Sequence, residues 1–174
     1  MPAETAAKME SGEALDRTEL RALKQDLWEL YEDYAQACDR QDFQAWTTFF
    51  TQDCEYKAIS RENFDEALPH ATLYCDGLGM VKDRAMALRE TAVYEPRHLR
   101  HFLSGLRVTS VAGDSIESEA NFLVVESMSG RESRIVFVGT YVDRVVRTPQ
   151  GLKFQSRQAV FDNYRVLVSL VVPI

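Results

Sequence analysis

A chain of 174 residues is the size of one domain, and with 45% hydrophobic residues it can bury a core of its own. Twenty Lys and Arg against 27 Asp and Glu leave a formal charge of −7, with no long basic run. That argues against a surface built to hold phosphates, and with it against nucleic acid and anionic membranes as partners.

Residues 1–14 are small, charged and aperiodic and read as a mobile tail. "MPAETAAKMESGEALDRTEL" has no apolar core segment, so no signal peptide is expected. Residues 15–174 read as a single domain. Leu20, Leu23, Leu27, Leu30, Tyr31 and Tyr34 recur every three or four residues and predict an amphipathic helix over 16–39. "DFQAWTTFF" predicts a second, shorter helix with Asp42 as its N-cap and Phe43, Trp46, Phe49 and Phe50 on one side.

"CEYKAIS" (54–60) and "ATLYCDG" (71–77) read as short strands around a polar loop, "RENFDEALPH". "GLGMVKDRAMALRE" (77–90) reads as a turn supplied by Gly77 and Gly79 and then a third helix. Met80, Val81, Met86 and Leu88 are its expected apolar contacts. After Pro96 come four long strands, 98–111, 115–128, 133–147 and 152–166 or beyond, divided by the turn signals "AGD", "SGRE" and "TPQG".

Segment 115–128 alternates, with Ile116, Ala120, Phe122, Val124 and Met128 on one side. In the first long strand, Phe102, Leu106 and Val108 are expected on the core face, with Arg97, His101, Arg107 and Leu103 opposite. An antiparallel meander needs one face covered, and the N-terminal helices can cover it. The predicted class is α+β.

Histidines 70, 98 and 101 are the only ones, and in a strand the odd spacing of His98 and His101 puts them on opposite faces. No zinc or facial-triad spacing, no nucleophile elbow and no complete phosphate-loop glycine pattern is present. Cys38, Cys54 and Cys75 are odd in number and form no Cys-x-x-Cys pair, which fits free thiols in a reducing, cytoplasmic setting. The longest apolar run, "VLVSLVVPI" (166–174), is too short to span a bilayer.

Acid–base chemistry is the enzymatic option: His98 or His101 paired with Asp39, Asp53 or Asp76 in a helix-lined pocket. The structural option reads the Arg/His cluster of Arg97, His98, Arg100, His101 and Arg107 as a subunit contact, against a solvated surface with internal salt bridges. Segment 133–147 favours a partner, because its middle is apolar on both faces: Ile135, Phe137 and Tyr141 against Val136, Val138 and Val142. "VLVSLVVPI" has the same character. An oligomer is expected.

"WTTFFTQDCEYKAIS" (46–60), "VKDRAMALRETAVYEPRHLRHFLSGLRV" (81–108), "ANFLVV" (120–125) and "GTYVDRVVRTPQGLKFQSRQAVFDN" (139–163) carry a resemblance over most of the chain, from about Leu23 onward. It resembles the small (β) subunits of Rieske-type aromatic-ring-hydroxylating dioxygenases. In wording it is most similar to those acting on aromatic carboxylates, such as terephthalate dioxygenase and salicylate hydroxylases. The resemblance implies a cone-shaped NTF2-like fold, as in scytalone dehydratase and ketosteroid isomerase, with N-terminal helices packed on a curved, mainly antiparallel sheet. It implies a structural role beside a large (α) subunit that holds the [2Fe–2S] cluster and the mononuclear Fe(II), fed by NAD(P)H through a reductase. No catalytic, cofactor or metal residue is then expected in this chain. The α3β3 hexamer of the family, with a β trimer, is the implied assembly, and Arg97, His98, Arg100, His101 and Arg107 its contact residues here. The alternatives are a stand-alone dehydratase, isomerase or cyclase of the same fold, and a dimerising ligand-binding module.

Overall fold

The computed structural model describes residues 16–92, 94–163 and 172–174. The expected tail, the end of the fourth long strand and most of "VLVSLVVPI" lie outside them. The order is α1 (Arg17–Asp39), α2 (Phe43–Trp46) running into a 3-10 turn (Thr47–Phe49), β1 (Phe50–Ser60), α3 (Arg61–Asp65), β2 (Leu73–Asp76), α4 (Gly77–Glu90), β3 (His98–Ala112), β4 (Ser115–Ser127), β5 (Arg134–Thr148) and β6 (Gly151–Phe161). One open mixed sheet runs β2-β1-β6-β5-β4-β3. Only β1 and β6 are parallel; the other neighbours are antiparallel. This is the α+β layering the sequence predicts.

The first helix starts where its capping chemistry allows. Asp16 Oδ1 accepts from the backbone N–H groups of Thr18 and Glu19, and Glu19 Oε2 accepts from the N–H of Asp16. Its apolar stripe, Leu23, Leu27, Leu30, Tyr31, Tyr34 and Cys38, is buried, and the helix lies across β3 and β6. Asp42 caps α2 as predicted, accepting from the N–H of Ala45 at 3.0 Å.

Three local expectations change. The first strand begins at Phe50 rather than 54, because Phe50 pairs with Phe154 of β6. The stretch after it opens as helix α3, whose N-cap Ser60 accepts from Asn63 N–H. In α4 the buried positions are Val81, Ala85 and Leu88, while Met80 and Met86 are 45% and 52% exposed. The stripe at i, i+4 and i+7 selects Ala85, and the two methionines fall off it. Gly77, at φ +80°, makes the turn; Gly79 is an ordinary helical residue.

The first half of the first long strand reverses the expected faces, while Leu106 and Val108 reach the core and Arg107 faces outward as expected. Leu99 is buried, the His101 side chain is inaccessible and Leu103 packs on the core, while Phe102 is 59% exposed. Bulges between Ser104 and Arg107 and between Val108 and Ser110 then shift the parity. Leu106, Val108 and Val111 reach the core through them, with Gly105 at φ +65° in the first. The expectation extended one alternation across a bulge and so assigned Phe102 and His101 to the wrong sides.

Helix and sheet meet over aromatic rings. Tyr31 and Tyr34 of α1 lie edge-on to Phe154, and Trp46 to Phe50 and Tyr56, at centroid distances of 5.4–5.6 Å. Fully burying each such side chain contributes about 2 kcal/mol. Tyr34 and Tyr56 both donate their hydroxyl hydrogens to the Ile174 carbonyl, at 3.1 and 3.0 Å, so the last described residues are pinned into the core. Val172 and Ile174 are buried, so this end of the predicted apolar patch is covered from within.

Gly139 sets how closely β6 approaches. A Cβ there would stand 2.0 Å from the Val160 carbonyl oxygen and 2.9 Å from the Phe122 ring. Gly139→Ala should therefore cost at least about 3 kcal/mol by overpacking against backbone. Urea unfolding of the two proteins checks this; an unchanged midpoint would show that the strands are free to separate there.

Candidate subunit-contact site

The Arg/His cluster divides into side chains bonded within the chain and side chains turned to solvent. Glu126 occupies an inward position of β4, continuing the alternation of Phe122 and Val124, and is buried. Arg97 Nη1 reaches its Oε2 at 2.8 Å, and Arg134 donates Nε and Nη2 to its Oε1 at 3.0 and 2.8 Å. Two guanidinium groups thus satisfy one buried carboxylate, tying the start of β3 to β4 and β5. The Arg97 side chain is only 10% exposed.

His101 is the other internal member. Asp39, the last residue of α1, accepts from the His101 backbone N–H at 3.1 Å and lies 2.6 Å from its Nδ1. A carboxylate only accepts, so Nδ1 carries the hydrogen. The far nitrogen, Nε2, is buried and has no hydrogen-bond partner among the described residues. Of the His–Asp pairs open on sequence, this one forms. Asp53 instead accepts from Gln155, and Asp76 precedes α4 without a side-chain capping bond. His98 is exposed and, as its spacing predicts, on the face opposite His101. Arg100 is exposed, its Nη1 donating to the Leu99 carbonyl at 3.0 Å, and Arg107 is exposed with a loose 3.9 Å contact to Glu119.

Beside Arg100 the outer face of the sheet is apolar. Phe102 pairs with Leu123, and Leu123 with Val138, so their side chains form one row across β3, β4 and β5. An extra residue in β5, Val136, bulges the strand opposite Val124 and Val125 and turns Ile135 outward, where it is 55% exposed. Phe102, Leu123, Val138 and Thr140 line a shallow depression of about 400 Å³. The double-sided apolar character expected of the third long strand is thus present, with Phe137 and Tyr141 inward and Val138 outward.

Deep under α1 lies a charge pair that the sequence reading missed. Asp143 and Arg157 are direct cross-strand partners, fully buried, with Nη1 3.3 Å from Oδ2 but not aligned as a hydrogen bond. The guanidinium carbon sits 3.7–4.8 Å from the ring centroids of Tyr141, Tyr34, Phe154 and Tyr31. The available signal was a charged residue at an inward position of each alternating strand: Asp143 two after Tyr141, Arg157 two before Ala159. Burial pushes the Asp143 carboxyl up to about 6, against the pull of Arg157. Burial opposes the Arg157 charge as well, but Asp143 and the surrounding tyrosines outweigh it and hold the guanidinium protonated.

The thiols offer no nucleophile. Cys38, Cys54 and Cys75 are free and buried, and burial pushes Cys38 up to about 12 and Cys54 to about 11. Among the described residues no three His, Cys, Asp or Glu side chains converge, so the donor set of an iron or iron–sulfur centre does not assemble from them. No described helix is long and apolar enough to cross a membrane.

A family model described as ring hydroxylating beta subunit matches residues 33–167. The small subunit of anthranilate 1,2-dioxygenase from Burkholderia cepacia is 34% identical over 149 residues, which cover 86% of this chain and 92% of that one. Subunit beta 2 of the terminal oxygenase component of terephthalate 1,2-dioxygenase from Comamonas sp. is 34% identical over 132 residues, 75% of this chain and 84% of that one. Among solved structures, a chain assigned as the beta subunit of an aromatic-ring-hydroxylating dioxygenase from Novosphingobium aromaticivorans superposes with a TM-score of 0.80. It is 32% identical, and the match covers 88% of this chain and 98% of that one.

Two outcomes test the internal pairs. Glu126→Ala strands Arg97 and Arg134 and should cost about 3 kcal/mol in urea unfolding; a loss under about 0.5 kcal/mol would mean that the pairs only offset their desolvation. Carboxyl ¹³C titration should place Asp143 near 6. Its folded value lies above the ordinary carboxylate value of about 3.9. The stability it contributes is therefore present below about pH 4 and lost as pH rises through about 6. A midpoint below 4 would show the ion pair outweighing burial.

Proposed function

The chain belongs to the ring hydroxylating beta subunit family, and from that premise we propose that it is the small, structural subunit of a multicomponent Rieske non-haem iron oxygenase that hydroxylates an aromatic carboxylate. The substrate class rests on the relatives, whose names give anthranilate and terephthalate, both aromatic acids. In this reading the large subunit carries the [2Fe–2S] cluster and the mononuclear Fe(II), with electrons from NAD(P)H through a reductase. This chain contributes packing and assembly in an α3β3 hexamer, with the small subunits forming a trimer in the cytoplasm.

The observation that carries an assembly role is the apolar row Phe102–Leu123–Val138 on the sheet face away from the helices. A half-exposed Phe beside Ile135 and Val138 is costly to leave in water, and a partner face removes that cost. His98, Arg100 and Arg107 form its polar rim, while Arg97 and His101 support it from inside by holding β3 in place. The rival reading, a stand-alone acid–base enzyme, has a dyad in His101–Asp39. That dyad lies at the sheet edge, and the space between α1, β5 and β6 is taken up by Arg157 and its rings.

Co-expression with the large subunit, followed by light scattering and iron analysis, tests the proposal. The expected product is an iron-containing complex of about three large and three small chains. A small chain that captures no large subunit and remains a discrete oligomer would overturn it. Val138→Asp or Arg100→Glu should weaken assembly at least tenfold, with the unfolding midpoint of the isolated small chain unchanged. Unaltered assembly in both would remove this face from the contact.

A further inference from the structure

The interior beneath α1 is walled by three elements: Tyr31 and Tyr34 from α1, Tyr141 and Asp143 from β5, and Phe154 from β6. All five side chains are buried. Four rings and one carboxylate converging on one point is the chemistry that recognises a small organic cation. The point they enclose is the Arg157 guanidinium. Its carbon lies 3.7 Å from the Tyr141 centroid, 3.9 Å from Tyr34, 4.3 Å from Phe154 and 4.8 Å from Tyr31. Nη1 is 3.3 Å from Asp143 Oδ2, yet none of the three guanidinium nitrogens has an aligned hydrogen-bond partner among the described residues. Arg97 and Arg134, which tie strands together, do align theirs on Glu126. The Arg157 cation is instead held by ring faces and by charge, and neither needs the covalent link to β6. Packing alone does not call for a cation here, since apolar residues in place of a buried ion pair are commonly neutral or stabilising.

We propose that this interior is a binding site for an alkylguanidinium ion, and that Arg157 fills it from within the chain as a tethered ligand. The domain is closed to a free ligand because it supplies its own. Guanidinium suits the cage better than ammonium, because a planar, weakly hydrated ion stacks on rings and gives up less water on entering. The proposal does not depend on the small-subunit reading. It differs from a purely structural ion pair in one respect: with the tether cut, a cation added in solution takes the place of the missing side chain.

Chemical rescue of the full chain tests this. Arg157→Ala removes the side chain beyond Cβ, and N-ethylguanidinium has the shape and charge of what is removed. Urea unfolding measures its binding at equilibrium, whatever route it takes into the interior. The urea midpoint of Arg157→Ala should fall below that of wild type. N-ethylguanidinium chloride should raise it again from about 1 mM upward, growing with the logarithm of concentration. N-ethylurea, which is neutral and of the same shape, and sodium chloride should not raise it. Wild type should be unmoved because the cage is full, and Arg157→Met because an apolar side chain fills it. Adding Asp143→Asn to Arg157→Ala should remove the rescue. Equal effects of N-ethylguanidinium and N-ethylurea, no effect of either, or a rescue that survives Asp143→Asn overturns the proposal. If Arg157→Ala is unfolded in buffer, N-ethylguanidinium should restore its near-UV circular dichroism, and a chain that stays unfolded in it overturns the proposal. In wild type, the Arg157 Nε–H should exchange slowly with water, and the rings should shift the Arg157 side-chain protons upfield. A rapidly exchanging Nε–H with unshifted neighbours overturns the cage itself.

Discussion

The Arg157 guanidinium, held between helix and sheet, is the constraint on which the arrangement depends. A buried cation is tolerated only where a counter-charge and polarizable faces replace water. Asp143 supplies the charge from the neighbouring strand, and Tyr141, Phe154, Tyr31 and Tyr34 supply the faces. Tyr31 and Tyr34 come from α1, so the same cluster that neutralises the charge fixes the helix over β5 and β6. With those tyrosines placed, the end of α1 falls beside β3, and Asp39 meets His101 there.

That meeting manages an edge. β3 is the outermost strand on its side of the sheet, and an open row of backbone donors would invite unwanted pairing. Asp39 accepts the His101 N–H, and two bulges break the regularity further along. Glu126, clamped by Arg97 and Arg134, fixes the start of the same strand. The basic stretch that attracts attention in the sequence therefore does two jobs. Arg97 and His101 hold β3 to the body of the domain, and His98, Arg100 and Arg107 face outward beside the apolar row. The two faces of the sheet divide accordingly: one packs the helices, and the other remains available for association.

Much of this was legible in the residues. The stripe Leu23–Leu27–Leu30–Tyr31–Tyr34, the cap at Asp42 and the hairpin turns at Gly113 and Gly151 are local patterns, and they lie where periodicity and turn chemistry put them. The alternation of β4 and the excess of apolar residues in β5 were equally plain. Phe102 was misplaced because a bulge cannot be seen in an alternation that resumes on the far side of it. Met80 and Met86 were misplaced because hydrophobic type was weighed over helical angle, where Ala85 held the inward position. The Asp143–Arg157 pair was missed because two charges some fourteen residues apart acquire meaning only when β5 and β6 pair in one register.

The sequence by itself determined the α+β class, the helix and strand identities apart from the short α3, the acidic charge and the family resemblance, since each follows from composition or from a pattern a few residues long. Only the tertiary structure decided which of His98 and His101 is buried, that Asp39 rather than Asp53 or Asp76 meets an imidazole, and that Arg97 is an internal tie. It also decided that the apolar residues of β3, β4 and β5 fall into one exposed row. Those facts depend on strand register, on single-residue bulges and on where the aromatic packing around Arg157 sets α1, and none of the three is a property of a local segment.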